Sequence, residues 1–319
     1  MSIQIITHQA NNGDCIWVRF GVDKKYNVVI DSGPGVFSGK FKQMINQINS
    51  NDESVDLLIL THIDDDHING FRKSINSIEG NKIKNIWLNG DTEQYYLNQT
   101  HSPKNIGGLV KEIRKKQMKI VTPILGGTIE KIGDAYLTVL TPTYEDMINT
   151  SKTIECFTQH SKHSKYSLDI DVIKGIDKYY PDKSLTNKAS ISFIFSYKSK
   201  NIAFLGDAHA EDICKGLVKY WNKGSIDLVK LSHHGSKHNT SCELLDLMEC
   251  NKFIITKKSP IHKETISRIV RCRDNVKVYG NYDWWTSTKF FTKQDIDKYL
   301  STERLNISVI DRNGILIKE

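Results

Sequence analysis

The chain is 319 residues long, 39% hydrophobic and 25% charged, with a formal net charge of +7, which is typical of a soluble globular protein; we expect a single domain over residues 1–319. No apolar run reaches the roughly 18 to 20 residues of a membrane helix and the N-terminus lacks a signal-peptide pattern, which predicts a cytoplasmic protein without a membrane segment. The six cysteines form no CxxC pair, which argues against a zinc ribbon or a disulfide framework.

Strands and helices alternate along the N-terminal half, which favours a layered α/β architecture. Apolar runs predict strands at residues 3–6, 15–20, 26–31, 55–60, 83–88, 119–124 and 136–142, with a helix at 41–48. Between residues 144 and 188 the pattern fades into polar, lysine-rich sequence, which we expect to be an insertion or lid beside the functional site. Regular structure resumes with strands at 190–197, 201–207 and 225–232 and a helix at 210–221, followed by a helix, a strand and a helix.

Two histidines and three aspartates occupy the six positions from His62 to His67, directly after a predicted buried strand. A solvated acidic loop needs carboxylates but has no need of a histidine at each end. Two later strands also end beside residues that can bind a metal, at Asp207 and at the pair His233 and His234, and another is followed by His262. Because strands of one sheet bring their carboxyl ends to a common edge, we expect these groups to converge.

Imidazole and carboxylate are ligands of zinc, manganese and iron, and two ions held close together need about seven to eight ligating atoms. The sequence therefore predicts two bound divalent ions, Zn²⁺ or Mn²⁺. The candidate ligands are His62, Asp64, Asp66, His67, Asp207, His234 and His262.

These motifs resemble those of metallo-β-lactamase-fold hydrolases. The HxHxDH motif of that family is matched by His62, Asp64, Asp66 and His67, with aspartate in place of the middle histidine, and its strand-borne GD by Gly206 and Asp207. The DxG turn of the family's first hairpin is matched by Asp31 and Gly33. The stretch DLVKLSHHGSKHNTS and the histidine before the next helix, His262, resemble the hydrolase domain of the ComEC-type DNA-uptake channel and its stand-alone relatives.

The resemblance implies a four-layer αββα sandwich with two metal ions at one edge and a metal-activated water as the nucleophile. It also implies that Asp207 bridges the ions. Of the two adjacent histidines, we expect His234 to be the ligand or proton donor and His233 to be structural, since His233 continues the strand. The expected catalytic residues are Asp66, Asp207 and His234, and the expected substrate contacts are Gly235, Ser236 and His238.

Two departures from the family pattern affect the expected metal site. Asp64 replaces a histidine, which makes the first position harder in ligand character and suits manganese or iron as well as zinc. The histidine that many members carry before the GD strand has no clear match, since that region offers only Asn187 and Ser190.

Three functions remain open at this point. The first is a phosphodiesterase or nuclease that binds nucleic acid without sequence specificity, favoured by the basic segments 111–119 and 257–273, although solvated helix faces have the same composition. The second is a hydrolase of a small ester, lactone or cyclic nucleotide. The third is a weakly active or inactive subunit that binds a protein partner or a second copy of itself. The aromatic run 281–287 either stacks on bases or packs at an edge of the fold.

Overall fold

The computed structural model describes residues 2–89, 104–152, 166–222 and 224–318. In these residues the strands, in chain order, are β1 (Ser2–Thr7), β2 (Ile16–Phe20), β3 (Tyr26–Ile30), β4 (Leu57–Leu60), β5 (Asn85–Leu88), β6 (Lys119–Val121), β7 (Ile129–Ile132), β8 (Ala135–Thr141), β9 (Ser192–Tyr197), β10 (Lys200–Phe204), β11 (Leu228–Lys230), β12 (Lys252–Ile255), β13 (Val276–Gly280), β14 (Leu305–Val309) and β15 (Ile315–Lys318).

The strands form two mixed sheets. The first has the order β15-β1-β2-β3-β4-β5-β6 and the second the order β14-β13-β12-β11-β10-β9-β8-β7. Strands β3 to β6 run parallel to one another in the first sheet, as do β10 to β14 in the second. The remaining neighbours are antiparallel, so each sheet joins a parallel half to an antiparallel half.

Helices cover the outer face of each sheet. The helices of the described residues are α1 (Ser38–Ser50), α2 (Asp65–Ser74), α3 (Lys104–Lys115), α4 (Tyr144–Lys152), α5 (Ile170–Ile176), α6 (Leu185–Lys188), α7 (Ala210–Tyr220), α8 (Cys242–Met248), α9 (Lys263–Cys272), α10 (Trp284–Ser287) and α11 (Lys293–Asp295). Apolar residues of α1, α2 and α3 pack on the first sheet, and those of α7, α8 and α9 pack on the second. No described helix combines the length and the apolar character that crossing a membrane requires.

The two sheets face each other across a central apolar layer, which confirms the predicted αββα sandwich. Strand β4 shows how its sequence builds these layers, because successive side chains of a strand point to opposite faces. Leu57 and Ile59 point into the central layer between the sheets, whereas Leu58 and Leu60 pack against the helices. A strand that is buried on both faces reads as a continuous apolar run, as LLIL does here.

The segment 144–188 differs from the expected irregular insertion. Its described part contains α4, α5 and α6, and the buried side chains of Ile170 and Ile173 pack with the core and with α9. Residues 153–165 of this segment lie outside the described residues. The sequence is polar overall, but Ile170 and Ile173 give α5 an apolar face that packs in the fold. The segment is therefore partly integrated into the fold.

The two sheets meet at one edge beside the carboxyl ends of their parallel strands. A hydrogen bond joins the two sheets at this edge. The Ile191 N–H, just before β9 of the second sheet, donates to the Thr61 carbonyl, just after β4 of the first sheet, at 2.8 Å. The loops after β10 and β11 are joined by the His233 N–H, which donates to the Gly206 carbonyl at 3.0 Å. The edge therefore brings together the loops that carry the predicted metal ligands.

Candidate metal centre

The carboxylate of Asp207 lies at the centre of four imidazole rings. Its Oδ2 atom is 3.9 Å from Nε2 of His62, 3.5 Å from that of His67, 3.8 Å from that of His233 and 3.7 Å from that of His234. Donor atoms around a tetrahedral zinc ion are expected about 3.4 Å apart, given zinc–nitrogen distances of about 2.1 Å. The spacing of this cluster is therefore suited to metal ligation with small adjustments.

Asp64 and Asp66 add carboxylates on the more open side of the cluster. Asp64 Oδ2 is 3.7 Å from His62 Nε2, and Asp66 Oδ2 is 3.9 Å and 3.8 Å from Nε2 of His67 and His234. The side chains of Asp64 and Asp66 are 39% and 43% exposed, whereas that of Asp207 is 4% exposed. The cluster is thus buried around Asp207 and open to solvent on the side of Asp64 and Asp66.

The turn after β3 holds the rings of His62 and His67. Asp31 accepts hydrogen bonds from the Thr61 N–H and hydroxyl, both at 2.8 Å, and its Oδ2 lies 2.8 Å from His67 Nδ1. The Thr61 hydroxyl is also 3.0 Å from His62 Nδ1. Because the Nδ1 atom of each ring is engaged, the Nε2 atom is directed toward Asp207.

A close backbone approach locks α2 against this turn. A Cβ atom on Gly70 would lie 1.8 Å from the Ser32 carbonyl oxygen, so only glycine fits there. The Ser32 N–H and hydroxyl both donate to the His67 carbonyl, at 2.8 and 2.7 Å. The DxG turn therefore fixes the start of α2 and, with it, the position of His67.

The two adjacent histidines after β11 occupy strained backbone conformations. His233 has φ 47° and His234 has φ 55°, both in the left-handed region that non-glycine residues avoid. Each such residue costs of order 1–3 kcal/mol and persists only where the surrounding structure enforces it. The strain directs both rings into the cluster. The expectation that His233 continues the strand was wrong, because β11 ends at Lys230 and the chain turns at Ser232. The expectation that His234, and not His233, is the ligand remains a prediction.

Asp14 contacts the Nδ1 side of the His234 ring, and the sequence analysis did not identify it. Its Oδ1 atom lies 3.2 Å from His234 Nδ1 and accepts a hydrogen bond from Thr256, while its Oδ2 atom pairs with the buried ammonium of Lys230. Asp14 lies with His67, Asp207 and His234 in a buried group whose ligand atoms are all within 4.8 Å. Since both of its oxygens already have partners, we assign Asp14 to the support of His234 and not to ligation. A carboxylate at the start of a buried strand was the available signal.

Several buried polar atoms of the cluster are left without a hydrogen-bond partner in the described residues. They are Nε2 of His62, His67 and His234 and Oδ1 of Asp207. Most buried polar atoms in folded proteins are hydrogen-bonded, so four unpartnered ones at one point fit a site that binds a ligand. Soft-to-borderline nitrogen donors mixed with carboxylates suit a divalent metal ion. The residues present therefore fit divalent metal binding.

Electrostatics in the cluster point to the same conclusion. Burial alone would raise the pKa of Asp207, but His67, His234 and His233 hold it well below its usual range. Burial would lower the pKa of His67, but Asp207, Asp31 and Asp66 raise it well above its usual range. Positive charge at the centre of the cluster therefore stabilises the ionised carboxylates. A divalent cation can supply that charge while the histidines stay neutral.

The structure places His262 beside His238. Its ring centroid lies 6.2 Å from that of His238, and burial and then Lys237 lower the pKa of His262 to about 4. The expectation that His262 ligates a metal remains a prediction. His233 supplies an imidazole that the sequence analysis did not count.

The expected substrate contacts lie next to the cluster but have structural partners. Gly235 is buried and its carbonyl accepts a hydrogen bond from Thr265, 2.8 Å long. The Ser236 hydroxyl accepts from the His238 N–H at 3.2 Å, and His238 Nδ1 lies 2.7 Å from the Tyr180 carbonyl. Their contact with substrate remains a prediction.

Part of the basic segment 257–273 is buried and does not form a free cationic surface. Lys263 is buried against Asp295 at 2.5 Å, and Arg268 is buried against Asp177 at 2.6 Å. Lys257 differs, because it is half-buried and lies within electrostatic reach of Asp207 and Asp66. One cation of this segment thus interacts electrostatically with two carboxylates of the cluster, while others stabilise the fold.

The aromatic run 281–287 packs into the fold. Trp284 is 1% exposed, and its ring centroid lies 4.9 Å from that of Phe290 and 5.2 Å from that of Trp285. This edge-to-face packing stabilises the outer layer of the second sheet. Of the two alternatives for this run, the structure supports the packed edge.

Part of the chain matches a known protein family. Residues 9–82, which include Asp14, Asp31 and the cluster from His62 to His67, match the family model described as the Metallo-beta-lactamase superfamily. No protein in a search of curated proteins matches the chain significantly. The solved structures similar to the chain include unliganded yeast PDE1, with 12% identity, a TM-score of 0.47 and 99% of each chain covered.

Two further similar structures come from bacteria. The metallo-beta-lactamase fold protein YhfI from Bacillus subtilis has 12% identity and a TM-score of 0.45, with 100% of each chain covered. Zn²⁺-bound PqqB from Methylobacterium extorquens has 11% identity and a TM-score of 0.44, with 95% of this chain and 87% of that chain covered. Residues 9–82 are thus similar to the Metallo-beta-lactamase superfamily, and with its two packed sheets the chain has the metallo-β-lactamase fold.

Proposed function

We propose that the protein is a metal-dependent phosphodiesterase. The observation that carries this proposal is the convergence of four imidazole Nε2 atoms on the carboxylate of Asp207. The donors divide into two groups that share this carboxylate. His62, Asp64 and His233 form the first position and Asp66, His67 and His234 form the second, for two divalent ions, Zn²⁺ or Mn²⁺.

Two bound divalent ions would supply an activated water nucleophile and would stabilise negative charge on the scissile group. The chain holds the donors through Asp31, Thr61 and Asp14, which fix the ring orientations before any substrate arrives. The buried carboxylate of Asp207 joins the two positions and sets their separation. The exposed sides of Asp64 and Asp66 leave the substrate's approach open.

A phosphate diester is the substrate class we favour over a neutral ester. Lys257 places a cation beside Asp66 and Asp207, where it can pair with a non-bridging phosphate oxygen. The similarity of the stretch DLVKLSHHGSKHNTS to ComEC-type hydrolase domains and the net charge of +7 support nucleic acid as the polymer that carries the diester.

A small phosphodiester such as a cyclic nucleotide is the second candidate. It is favoured by the burial of Lys263 and Arg268, which removes part of the basic surface that a nucleic acid would need. A polymer substrate should bind with strong salt dependence, whereas a small diester should show little.

The test is hydrolysis by the full chain after chelation and reconstitution with Zn²⁺, Mn²⁺ or Mg²⁺. The substrates are bis(p-nitrophenyl) phosphate, labelled single-stranded DNA and RNA, a cyclic nucleotide and, as the neutral comparison, p-nitrophenyl acetate. We expect metal-dependent cleavage of diesters, lost in His62→Ala and retained in His8→Ala, which removes a half-buried histidine outside the cluster. Cleavage of the neutral ester alone, or diester cleavage without metal, contradicts the proposal.

A further inference from the structure

Each histidine of the cluster is supported behind its ring by an oxygen atom. His67 Nδ1 lies 2.8 Å from Asp31, His234 Nδ1 lies 3.2 Å from Asp14, and His62 Nδ1 lies 3.0 Å from the Thr61 hydroxyl. Such oxygen acceptors fix the tautomer and the orientation of metal-binding imidazoles. The fourth ring follows the same pattern, since His233 Nδ1 lies 3.3 Å from Asp182 Oδ2.

Asp182 differs from the other supporting residues in its origin. Asp31, Thr61 and Asp14 belong to loops of the first sheet, whereas Asp182 comes from the segment 144–188, between α5 and α6. The amides of Asn187 and Asn239 donate to Asp182 Oδ2, at 2.7 and 3.0 Å. These bonds hold the carboxylate in place against His233.

The same segment also reaches the other residues of the first metal position. The Thr186 hydroxyl donates to Asp64 Oδ2 at 3.3 Å, and the Asn187 amide lies 3.3 Å from His233 Nδ1. At its other end, the Asp182 N–H donates to the His238 carbonyl at 3.0 Å, and the Tyr179 hydroxyl donates to that carbonyl at 2.9 Å. Residues 179–187 of the segment therefore contact both the loop 233–238 and the loop 62–67.

We propose that Asp182 is a positioning residue that holds His233 as the imidazole ligand of the metal position formed with His62 and Asp64. This inference rests on the proposed two-metal function. It assigns to His233 the place of the histidine that the chain lacks before its GD strand. It also makes the described part of the segment 144–188 a component of the metal site, in place of the separable lid expected from its composition.

The contacts predict a selective effect on one ion. Without the Asp182 carboxylate, Asn187 and Asn239 lose their shared acceptor. The His233 ring, 37% exposed, then loses its charged partner and keeps the contact of its Nδ1 with Asn239 Oδ1, 3.2 Å long. The second position, with His67 and His234, keeps Asp31 and Asp14 behind its rings. Loss of such a supporting residue typically weakens metal affinity 10–100-fold.

The experiment compares the full-length wild type with Asp182→Ala, Asp182→Asn and His233→Ala. A matched control, Asp171→Asn, removes a carboxylate of the same segment that pairs with Lys298 at 2.6 Å. Zn²⁺ per chain is measured by elemental analysis after dialysis against graded chelator, and Co²⁺ absorption reports the coordination of each bound ion. Thermal unfolding monitors the fold of each variant.

We expect two ions in the wild type and in Asp171→Asn. In Asp182→Ala and His233→Ala one ion should stay tight and the other should bind 10–100-fold more weakly, with a Co²⁺ spectrum changed for that ion only. Asp182→Asn should lie between, since its amide oxygen can still accept from the ring, and it carries the test if the alanine variant does not fold. Combining Asp182→Asn with His233→Ala should add little to His233→Ala alone.

Two results would overturn the inference, and they are distinguishable from failure of the function. Folded Asp182 variants that bind both ions with wild-type affinity would remove Asp182 from the metal site while leaving the two-metal hydrolase intact. Equal weakening of both ions would assign Asp182 a general structural role. A wild-type chain that binds no metal would defeat the proposed function itself and the inference with it.

Discussion

Removing the buried ammonium of Lys230 should destabilise the protein more than removing any exposed lysine. Lys230 is 1% exposed and Asp14 is 2% exposed, and their side chains form an ion pair beneath His234. The variant Lys230→Met keeps an unbranched side chain but leaves the Asp14 carboxylate buried without its cation. The hydroxyl of Thr256 and the ring of His234 still contact that carboxylate.

Breaking a buried ion pair by removing one partner costs about 3–5 kcal/mol. Because two of the partners of Asp14 remain, we expect a loss near the lower limit, about 3 kcal/mol. With a urea slope of about 3 kcal/mol per molar, the unfolding midpoint should fall by about 1 M. Replacing Asp14 with Asn in the same chain should restore most of the loss, since no uncompensated charge is then buried.

The measurement is urea unfolding of the metal-stripped protein at pH 7, so that bound metal does not contribute to stability. Lys230 and His234 keep the pKa of Asp14 below its usual range against the effect of burial. The contribution of the carboxylate is therefore present above the usual pKa of aspartate and is lost only as the pH falls through the lowered value. The matched control is Lys84→Met, whose ion pair with Asp56 is partly exposed and should contribute less than about 1 kcal/mol. Equal midpoints for the two variants would refute the reasoning.

Three further predictions concern pH, the bridge and the substrate. Burial lowers the pKa of His8 to about 4, so on acidification the unfolded chain binds a proton there before the folded chain does. Between pH 7 and pH 4, the free energy of unfolding of the wild type, measured in urea, should fall by about 3 kcal/mol more than that of His8→Gln. Parallel pH dependences of the two proteins would contradict this. Asp207→Asn should fold, as judged by circular dichroism, but its kcat should fall by at least about 100-fold. The control Asp227→Asn, at the opposite end of the same strands, should keep full activity. If Asp207→Asn binds metal and is active, Asp207 does not bridge the ions. Lys257→Ala should raise KM for a phosphodiester about tenfold with unchanged metal content, while Lys258→Ala should not; equal KM values would exclude Lys257 from substrate binding.

The inner strands of the fold were predictable from sequence because they are buried on both faces. The runs LLIL in β4 and IAF in β10 leave no other role for consecutive apolar residues. Strands β7 and β13 were not predicted, and β13 is an inner strand whose alternating burial gives no continuous apolar run. Strands β14 and β15 were missed as well. They are short, partly exposed strands at the sheet edges, and β15 pairs with β1 from the opposite end of the chain. Such pairing leaves little local signal.

The site was predictable to the extent that its residues follow strands directly. His62 and Asp207 lie within three residues of the ends of β4 and β10, so the topology alone brings them to the edge. Asp14 and Asp182 act through contacts with residues distant in sequence, which no spacing encodes. His262 remains a prediction from the sequence, and its ring centroid lies 6.2 Å from that of His238.

The location of bound metal tests the proposed centre most directly. Crystals of the purified protein grown with Zn²⁺ or Mn²⁺ can be measured at the absorption edge of the metal, and an anomalous difference map then places each ion. We expect two peaks that both lie about 2.0–2.2 Å from the Asp207 carboxylate, one beside His62 and His233 and the other beside His67 and His234. A map with no peak at Asp207, or with its strongest peak beside His262, would contradict the two-metal centre.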